Sequence, residues 1–430
     1  MRDVSFEAIR GGEIQQMRGA VDTSAASSQM EKSNIIPAFS AEALLKRRVR
    51  THLHRLGFSR DKSGHLVAPD SSKESVRALH RGQRRDKLLA QRQFIRANLN
   101  ELLPYFADGG DIDVHQIQPR LELIEAGTWQ SNLFRLASLS WSVPVSEGFG
   151  RRLRYLVWDR SNTKLMGLIA LGDPVFNLRA RDEMIGWSSK DREKRLVNIM
   201  DAYVLGAVPP YNFLLGGKVV SSLIRTKDIR SDFAKKYSDT RGIISNKKKN
   251  AQLVLVTTSS SLGRSSVYNR VRLGGVNYLE SVGFTGGWGH FHVPNALFAS
   301  LRDYLRDVNH GYVDAHKFGE GPNWRFRTIR AAFDALGFGP DLLLHGIKRE
   351  VFVCRLAVNA ERLLRGEVQR ASYRGLKSIA DVGDEAKERW MVGRAERNAE
   401  YKSWTVAQFK TLLTHVSNVS SMTGPGMRAS

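Results

Sequence analysis

The sequence holds one cysteine in 430 residues, Cys354. That excludes an intramolecular disulfide and any zinc site built from several cysteines, and it fits a reducing cytosol. Cys354 lies in the apolar run REVFVCRLAV, where a buried structural thiol is the expected role. Long hydrophobic stretches are missing too. No run approaches the ~18 apolar residues that span a bilayer, and MRDVSFEAIRGGEIQQ at the start has no apolar signal-peptide core. The expectation is a soluble, cytoplasmic protein with no membrane partner. Acidic residues are scarce, 43 against 66 lysines and arginines, for a formal net charge of +23. An excess so large and so widely spread points to a polyanion. Nucleic acid, DNA first, stands ahead of an anionic membrane because no amphipathic anchor or lipidation motif accompanies the charge. A solvated basic surface is the alternative.

Hydrophobic residues make up 42% of the chain, enough for more than one core, since single cores stop growing near ~250–300 residues. The texture divides the chain into a polar lead over 1–38, a basic helical module over 39–130, a central α/β domain over 131–300, a helical region over 301–420 and a loose tail over 421–430. SAEALLKRRVRTHLHRLGF predicts a helix capped by Ser40 and stopped at Gly57, with Arg47, Arg48 and Arg50 on its basic face. ESVRALHRGQRRDKLLAQRQFIRANLNELLPYF repeats the theme with Arg81, Arg84 and Arg85. Two such helices suit a phosphate backbone, because arginine neutralises it and releases counterions. Lys247, Lys248 and Lys249 add a basic link, and GPNWRFRTIR sets Trp324 beside Arg325 and Arg327, a combination that suits unpaired bases. Helical faces that meet only water, and a core tryptophan, are the plainer alternatives. No zinc finger or basic zipper is present, so base-specific readout is not supported.

After Phe149 the pattern turns to strands. RRLRYLVWD and TKLMGLIALGD predict a hairpin turning at Asp159 to Asn162, and VNIMDAYVLGAV predicts a further strand. The loop VPPYNFLLGGK then opens a helix, KVVSSLIRTKDIRSDFAKKY, and AQLVLVTTSS reads as a buried central strand. SSVYNRVRL is predicted as a short helix and NYLESVGFTGG as a strand and turn. The fold class is α/β (α+β): a central mixed sheet between a basic helical module and a helical C-terminal region. Within the latter, EAKERWMVGRAERNAEYKSWTVAQFKTLL is amphipathic and a candidate partner surface.

That order of elements resembles the acyltransferase fold of the GNAT type, in which a Gly-rich loop after a central strand holds a pyrophosphate at a helix N-terminus. The resemblance implies Gly216, Gly217 and Lys218 in the loop, Tyr268 on the later helix, Gly283-Phe284 closing it, and acetyl-CoA as cofactor. The glycines here are adjacent behind NFLL, whereas the family spaces them apart. Longer motifs, among them FRLASLSWSVPVSEGFGRRLRYLVWD, KLMGLIALGDPVFNLRARDEMIGW, LVTTSSSLGRSSVYNR and VGFTGGWGHFHV, resemble the DruA family of the Druantia anti-phage defence system, from about Leu44 to Trp390. This resemblance implies a bacterial defence component acting beside other Druantia proteins, a large helicase-like one included. It supplies no reaction.

Three further groups are candidates for chemistry. Asp173, Asp182 and Asp201 lie near predicted strand ends and are oxygen ligands of the kind that Mg²⁺ needs for phosphodiester cleavage. Salt bridges to Arg179, Arg181 and Arg195 account for the same acids. His290 and His292 in GHFHV would share one face of a strand as a metal or acid–base pair, or serve as hydrogen-bonded histidines beside an aromatic cluster. TTSSSLGRSSVYNR gathers hydroxyls with Arg264, and Ser260 there is a candidate anion donor rather than a nucleophile. Enzyme or not stays open at this point, with acetyl-CoA and Mg²⁺ the two candidate cofactors.

Overall fold

The structure, a computed structural model, describes residues 40–62, 66–67, 69–70, 72–239, 250–311 and 324–415. Its principal elements begin with α1 (Ala41–Arg55), α2 (Lys73–Ala90), α3 (Arg92–Leu102), β1 (Pro119–Leu123) and α4 (Trp129–Ser138). The middle of the chain supplies β2 (Arg152–Asp159), β3 (Lys164–Gly172), α5 (Arg179–Ile185), β4 (Ile199–Ala207), α6 (Gly216–Ser222), α7 (Lys227–Tyr237) and β5 (Leu255–Ser259). Then come β6 (Glu280–Phe284), α8 (Asn295–Asp307), α9 (Trp324–Ala335), β7 (Glu350–Arg355), α10 (Ile379–Ala386) and α11 (Val406–Thr414).

Seven strands form one mixed sheet in the order β6-β7-β5-β4-β3-β2-β1. Every neighbouring pair is antiparallel except β4 and β5, which run parallel from Ile199 opposite Leu255 to Asp201 opposite Thr257. Alternation along β2 shows how the sheet is covered. Leu153, Tyr155 and Val157 enter a core shared with Val220 of α6, Phe233 of α7 and Val382 of α10, while Leu156 and Trp158 enter one shared with Leu99 of α3, Leu133 of α4 and Phe409 of α11. Helices thus lie on both faces, and the fold is α/β. The predicted hairpin is present, with β2 and β3 paired up to Asp159 opposite Lys164.

A third core is built mostly from helices. Leu45 and Val49 of α1, Val76 and Leu79 of α2, Leu301 of α8 and Phe333 of α9 are all buried in it. The basic helices of the first quarter of the chain are therefore packed on helices more than two hundred residues further along. Burying an apolar face is what fixes such helices, since propensity alone holds few of them in water.

Four expectations need correction. REVFVCRLAV, placed in a helical region, supplies β7, which inserts between β5 and β6; Cys354 is fully buried there, and burial pushes its thiol up to about 12. SSVYNRVRL forms no helix: Ser265 Oγ accepts the Tyr268 N–H at 2.9 Å and Arg270 takes a left-handed φ of 62°, which closes a turn. GHFHV is irregular rather than a strand, because Gly289 and Pro294 bracket it and the Val293 N–H bonds to His290 O at 3.0 Å. The amphipathic stretch near the C-terminus places Met391, Phe409 and Leu413 inside the sheet's two cores, so its apolar face is already covered.

The loop VPPYN is a clamp on the hairpin. Tyr211 is fully buried, donates to Asp159 Oδ2 at 3.0 Å and accepts from Asn162 Nδ2 at 2.9 Å. Asp159, itself fully buried, also accepts from the Ser161 hydroxyl and from the Gln118 and Ser161 N–H groups. Removing one partner of a buried carboxylate leaves it under-satisfied. Tyr211→Phe is therefore expected to lower stability by about 1–3 kcal/mol in urea denaturation, and an unchanged midpoint would remove this role.

Candidate nucleic-acid interface

The basic helices build a groove. Arg47, Arg48, Thr51 and Arg55 come from α1, Arg85 from α2, and Pro294, Ala296 and Leu297 from the start of α8, enclosing about 650 Å³. The positions follow from helix geometry: with Leu45, Val49 and Leu53 turned into the core, Arg47, Arg48 and Arg55 must face outward. Asp86 Oδ2 accepts the Asn295 N–H at 2.9 Å and His52 Nε2 contacts His292 O at 2.7 Å, so α1 and α2 are both tied to the α8 wall. Arg48 reaches Ser300 Oγ at 2.7 Å. Among the described residues no carboxylate pairs with Arg47, Arg48, Arg55 or Arg85, whereas Lys46 is neutralised by Glu42 and Lys87 by Glu147. Arg55 belongs to the basic face that the sequence of α1 shows, whereas the α8 wall is the part that residue spacing does not single out; only long-range packing brings it in.

The other predicted basic contacts divide. Arg81 and Arg327 are exposed, and Arg50 lies 5.6 Å from the Phe338 ring. Arg84 is structural: its guanidinium donates to Trp141 O and Leu412 O, stitching α2 to the chain beyond α4 and to α11. Arg325 is structural as well, bonded to Asn295 Oδ1 and Val293 O and stacked 4.2 Å over Phe298, which Trp324 meets edge-on. Lys247, Lys248 and Lys249 lie outside the described residues.

At the glycine-rich loop the backbone is used by the protein itself. A Cβ on Gly216 would stand 2.6 Å from Tyr211 O and one on Gly217 would stand 3.1 Å from Val267, so close packing explains both glycines. The Lys218 N–H donates to Leu215 O, and its ammonium donates to Asn269 O at 2.9 Å beside the Trp390 ring. The serine-rich loop likewise already holds an anion. Glu350, buried at the head of β7, accepts from the Ser265 N–H at 3.0 Å and the Ser281 hydroxyl at 2.9 Å, while the Ser260 N–H bonds to Glu350 O. Arg264 is exposed on that loop. Beyond Asp201, where β4 and β5 part, Thr258 donates to Ala202 O at 2.8 Å and Tyr268 to Leu205 O at 2.7 Å, so side chains satisfy the carbonyls the sheet leaves open.

The carboxylates have separate partners. Asp173 pairs with Arg151 at 2.7 Å, and Asp182 with the fully buried Arg181 and with Arg192. Asp201 accepts from Thr257 Oγ1 at 2.6 Å; burial pushes its carboxyl up to about 6 against the pull of that bond and of Arg181. Among the described residues no three His, Cys, Asp or Glu side chains come together as a metal-holding group. His290 faces Phe326, and His292 Nε2 bonds to Leu342 O at 2.9 Å in a cluster where His80 stacks 4.1 Å over Phe291 and His345 meets the same ring edge-on.

These features define a class: an α/β protein whose helical module carries a groove of arginines with no carboxylate partner among the described residues. The chain matches the family described as Druantia protein DruA over residues 70–366. It is 54% identical over 379 residues to the Druantia protein DruA of Escherichia coli (strain UMEA 4076-1), an alignment covering 88% of this chain and 93% of that protein. The chain belongs to the DruA family of the Druantia anti-phage defence system. No solved structure matches it. Among the described residues no helix is long and apolar enough to cross a membrane.

The histidine cluster sets an acid limit on the groove. Burial holds His80 and His292 at about 4 and His345 at about 3, with Arg349 disfavouring a proton further on His80 and His345. The folded state therefore favours neutral imidazoles, and the unfolded chain takes up protons first as pH falls. Stability should be complete above about pH 6.5 and fall as pH drops toward 4, by as much as about 4 kcal/mol per pH unit when three histidines titrate together. Melting temperature measured from pH 7 to pH 4 checks this, and a flat profile would contradict it.

Proposed function

We propose that the chain serves Druantia defence by holding nucleic acid, DNA in the first instance, in the groove between α1, α2 and α8. The observation that carries this reading is the convergence of Arg47, Arg48, Arg55 and Arg85 with no acidic partner among the described residues. Unpaired guanidinium groups on one face repel one another, and a phosphate backbone relieves that repulsion while releasing counterions. The backbone, not the base sequence, is what such a groove reads. In the system the chain acts beside other Druantia proteins, a helicase-like one among them, and nucleic acid is the substrate they hold in common.

The strand order, with its single parallel pair, favours a second reading, an acyltransferase-like scaffold of the GNAT type. The Thr258 and Tyr268 hydroxyls on the β4 carbonyls, together with the close packing of Gly216 and Gly217, support a scaffold that works without coenzyme A.

Two measurements test these statements. Affinity for DNA should fall with salt along a log–log slope of about −3 to −4, roughly 0.9 per phosphate contacted, and Arg47→Ala with Arg85→Ala should flatten that slope by about 2. Absence of binding at low salt would refute the groove reading. Saturating acetyl-CoA should leave the melting temperature unchanged, whereas a rise of several degrees would restore the cofactor reading.

A further inference from the structure

β6 and β7 do not end at the sheet. Beyond Phe284 opposite Glu350 they continue as a narrow antiparallel ribbon. The Thr285 N–H donates to Arg349 O at 2.9 Å, the Arg349 N–H to Thr285 Oγ1 at 3.0 Å, and the Gly346 N–H to Gly287 O at 3.2 Å. Trp288 then bridges Leu344, and the Gly289 N–H donates to Leu343 O at 2.9 Å. Gly287 makes this path passable, with a φ of 75° and only 3.1 Å between its would-be Cβ and the Gly346 carbonyl carbon.

The ribbon displays two aromatic side chains, Phe284 at 42% and Trp288 at 54% of full exposure. Folding ordinarily buries rings of this size, and among the described residues no second ring or cation packs on either one. Their backbone is nevertheless held by the ladder, so the rings are mounted rather than loose. At its far end the ribbon runs into the His290–Pro294 turn, where His292 O meets His52 of the groove wall and Pro294 lines the groove itself. Lys348 is exposed on the second strand of the ribbon.

We propose that Phe284 and Trp288 form a base-stacking platform for a single-stranded segment of nucleic acid whose phosphates continue into the arginine groove. The proposal rests on the groove reading and names its ligand class, unpaired DNA or RNA. Stacking on an indole is sequence-tolerant because every base has a π-face, and it discriminates against duplex, whose bases are already stacked. Cations nearby and aromatics mounted on a ribbon are the two components that single-strand sites combine.

The test uses the full chain and fluorescently labelled oligo(dT), with a blunt duplex of equal length as comparison. Trp288→Ala should weaken oligo(dT) binding about tenfold, leave duplex binding and the salt slope unchanged, and leave the melting temperature in place because the side chain is exposed. Trp288→Phe should recover most of the loss. Equal weakening of both ligands, or no weakening, overturns the platform. If Arg47→Ala with Arg85→Ala weakens binding while Trp288→Ala does not, the platform fails and the groove stands. If the unaltered chain binds neither ligand, both fail. Unchanged affinity with lost phage protection in Trp288→Ala would assign the ribbon to a protein partner and overturn the proposal as well.

Discussion

The pairing of β7 between β5 and β6 is the contact on which the remaining architecture depends. It runs five register pairs along β5, from Val351 opposite Ser259 to Arg355 opposite Leu255, and it brings in a segment far from both neighbours in sequence. Glu350 enters the interior with it. A buried carboxylate is costly unless its oxygens are satisfied, and here the Ser265 N–H and the Ser281 hydroxyl satisfy them, so the charge that must be buried also orders the serine-rich loop. The same strand pair extends outward as the ribbon toward α8. Sheet, serine-rich loop and helical module are thus linked through one antiparallel contact.

Charge is handled differently inside the sheet domain and on the helical module. Two arginines at the sheet show the matched case: Arg181 is fully buried on Asp182 and two carbonyls, and Arg355 spans Glu280 and Glu361. In the groove, Arg47, Arg48, Arg55 and Arg85 face outward with no carboxylate paired to them among the described residues. Matched pairs hold a fold and contribute little to an external field, while unmatched ones sum into a potential that attracts a polyanion and fades with salt. The net charge of +23 is therefore put to use unevenly across the molecule.

Where β4 and β5 separate, the protein closes the gap with its own hydroxyls. Thr257, Thr258 and Tyr268 take up Asp201, Ala202 O and Leu205 O in turn. Polar groups exposed by parting strands must be bonded by something, and side chains from β5 and the loop after it do so here. The glycines that resemble a phosphate cradle serve the same compact packing, Gly216 against Tyr211 and Gly217 against Val267.

Local pattern determined a good deal of this by itself. The alternation in RRLRYLVWD and TKLMGLIALGD specified the hairpin, the spacing of Ala43, Leu44, Val49, Leu53 and Leu56 pointed to α1 with its arginines outward although the buried face runs through Leu45 while Leu44 is exposed, and the family was legible in long unusual motifs. What local pattern left open was every decision made by partners distant in the chain. REVFVCRLAV is apolar in any context, and only its place between β5 and β6 makes it a central strand. Arg84 and Arg85 are adjacent and chemically identical, yet one is committed to backbone carbonyls and the other lines the groove, because the rotation of about 100° between consecutive residues of a helix sends them to different neighbours. Composition determined that this protein would carry a large positive charge; tertiary packing decided which arginines are left without counter-charge, since that depends on which acids and carbonyls lie within reach in space.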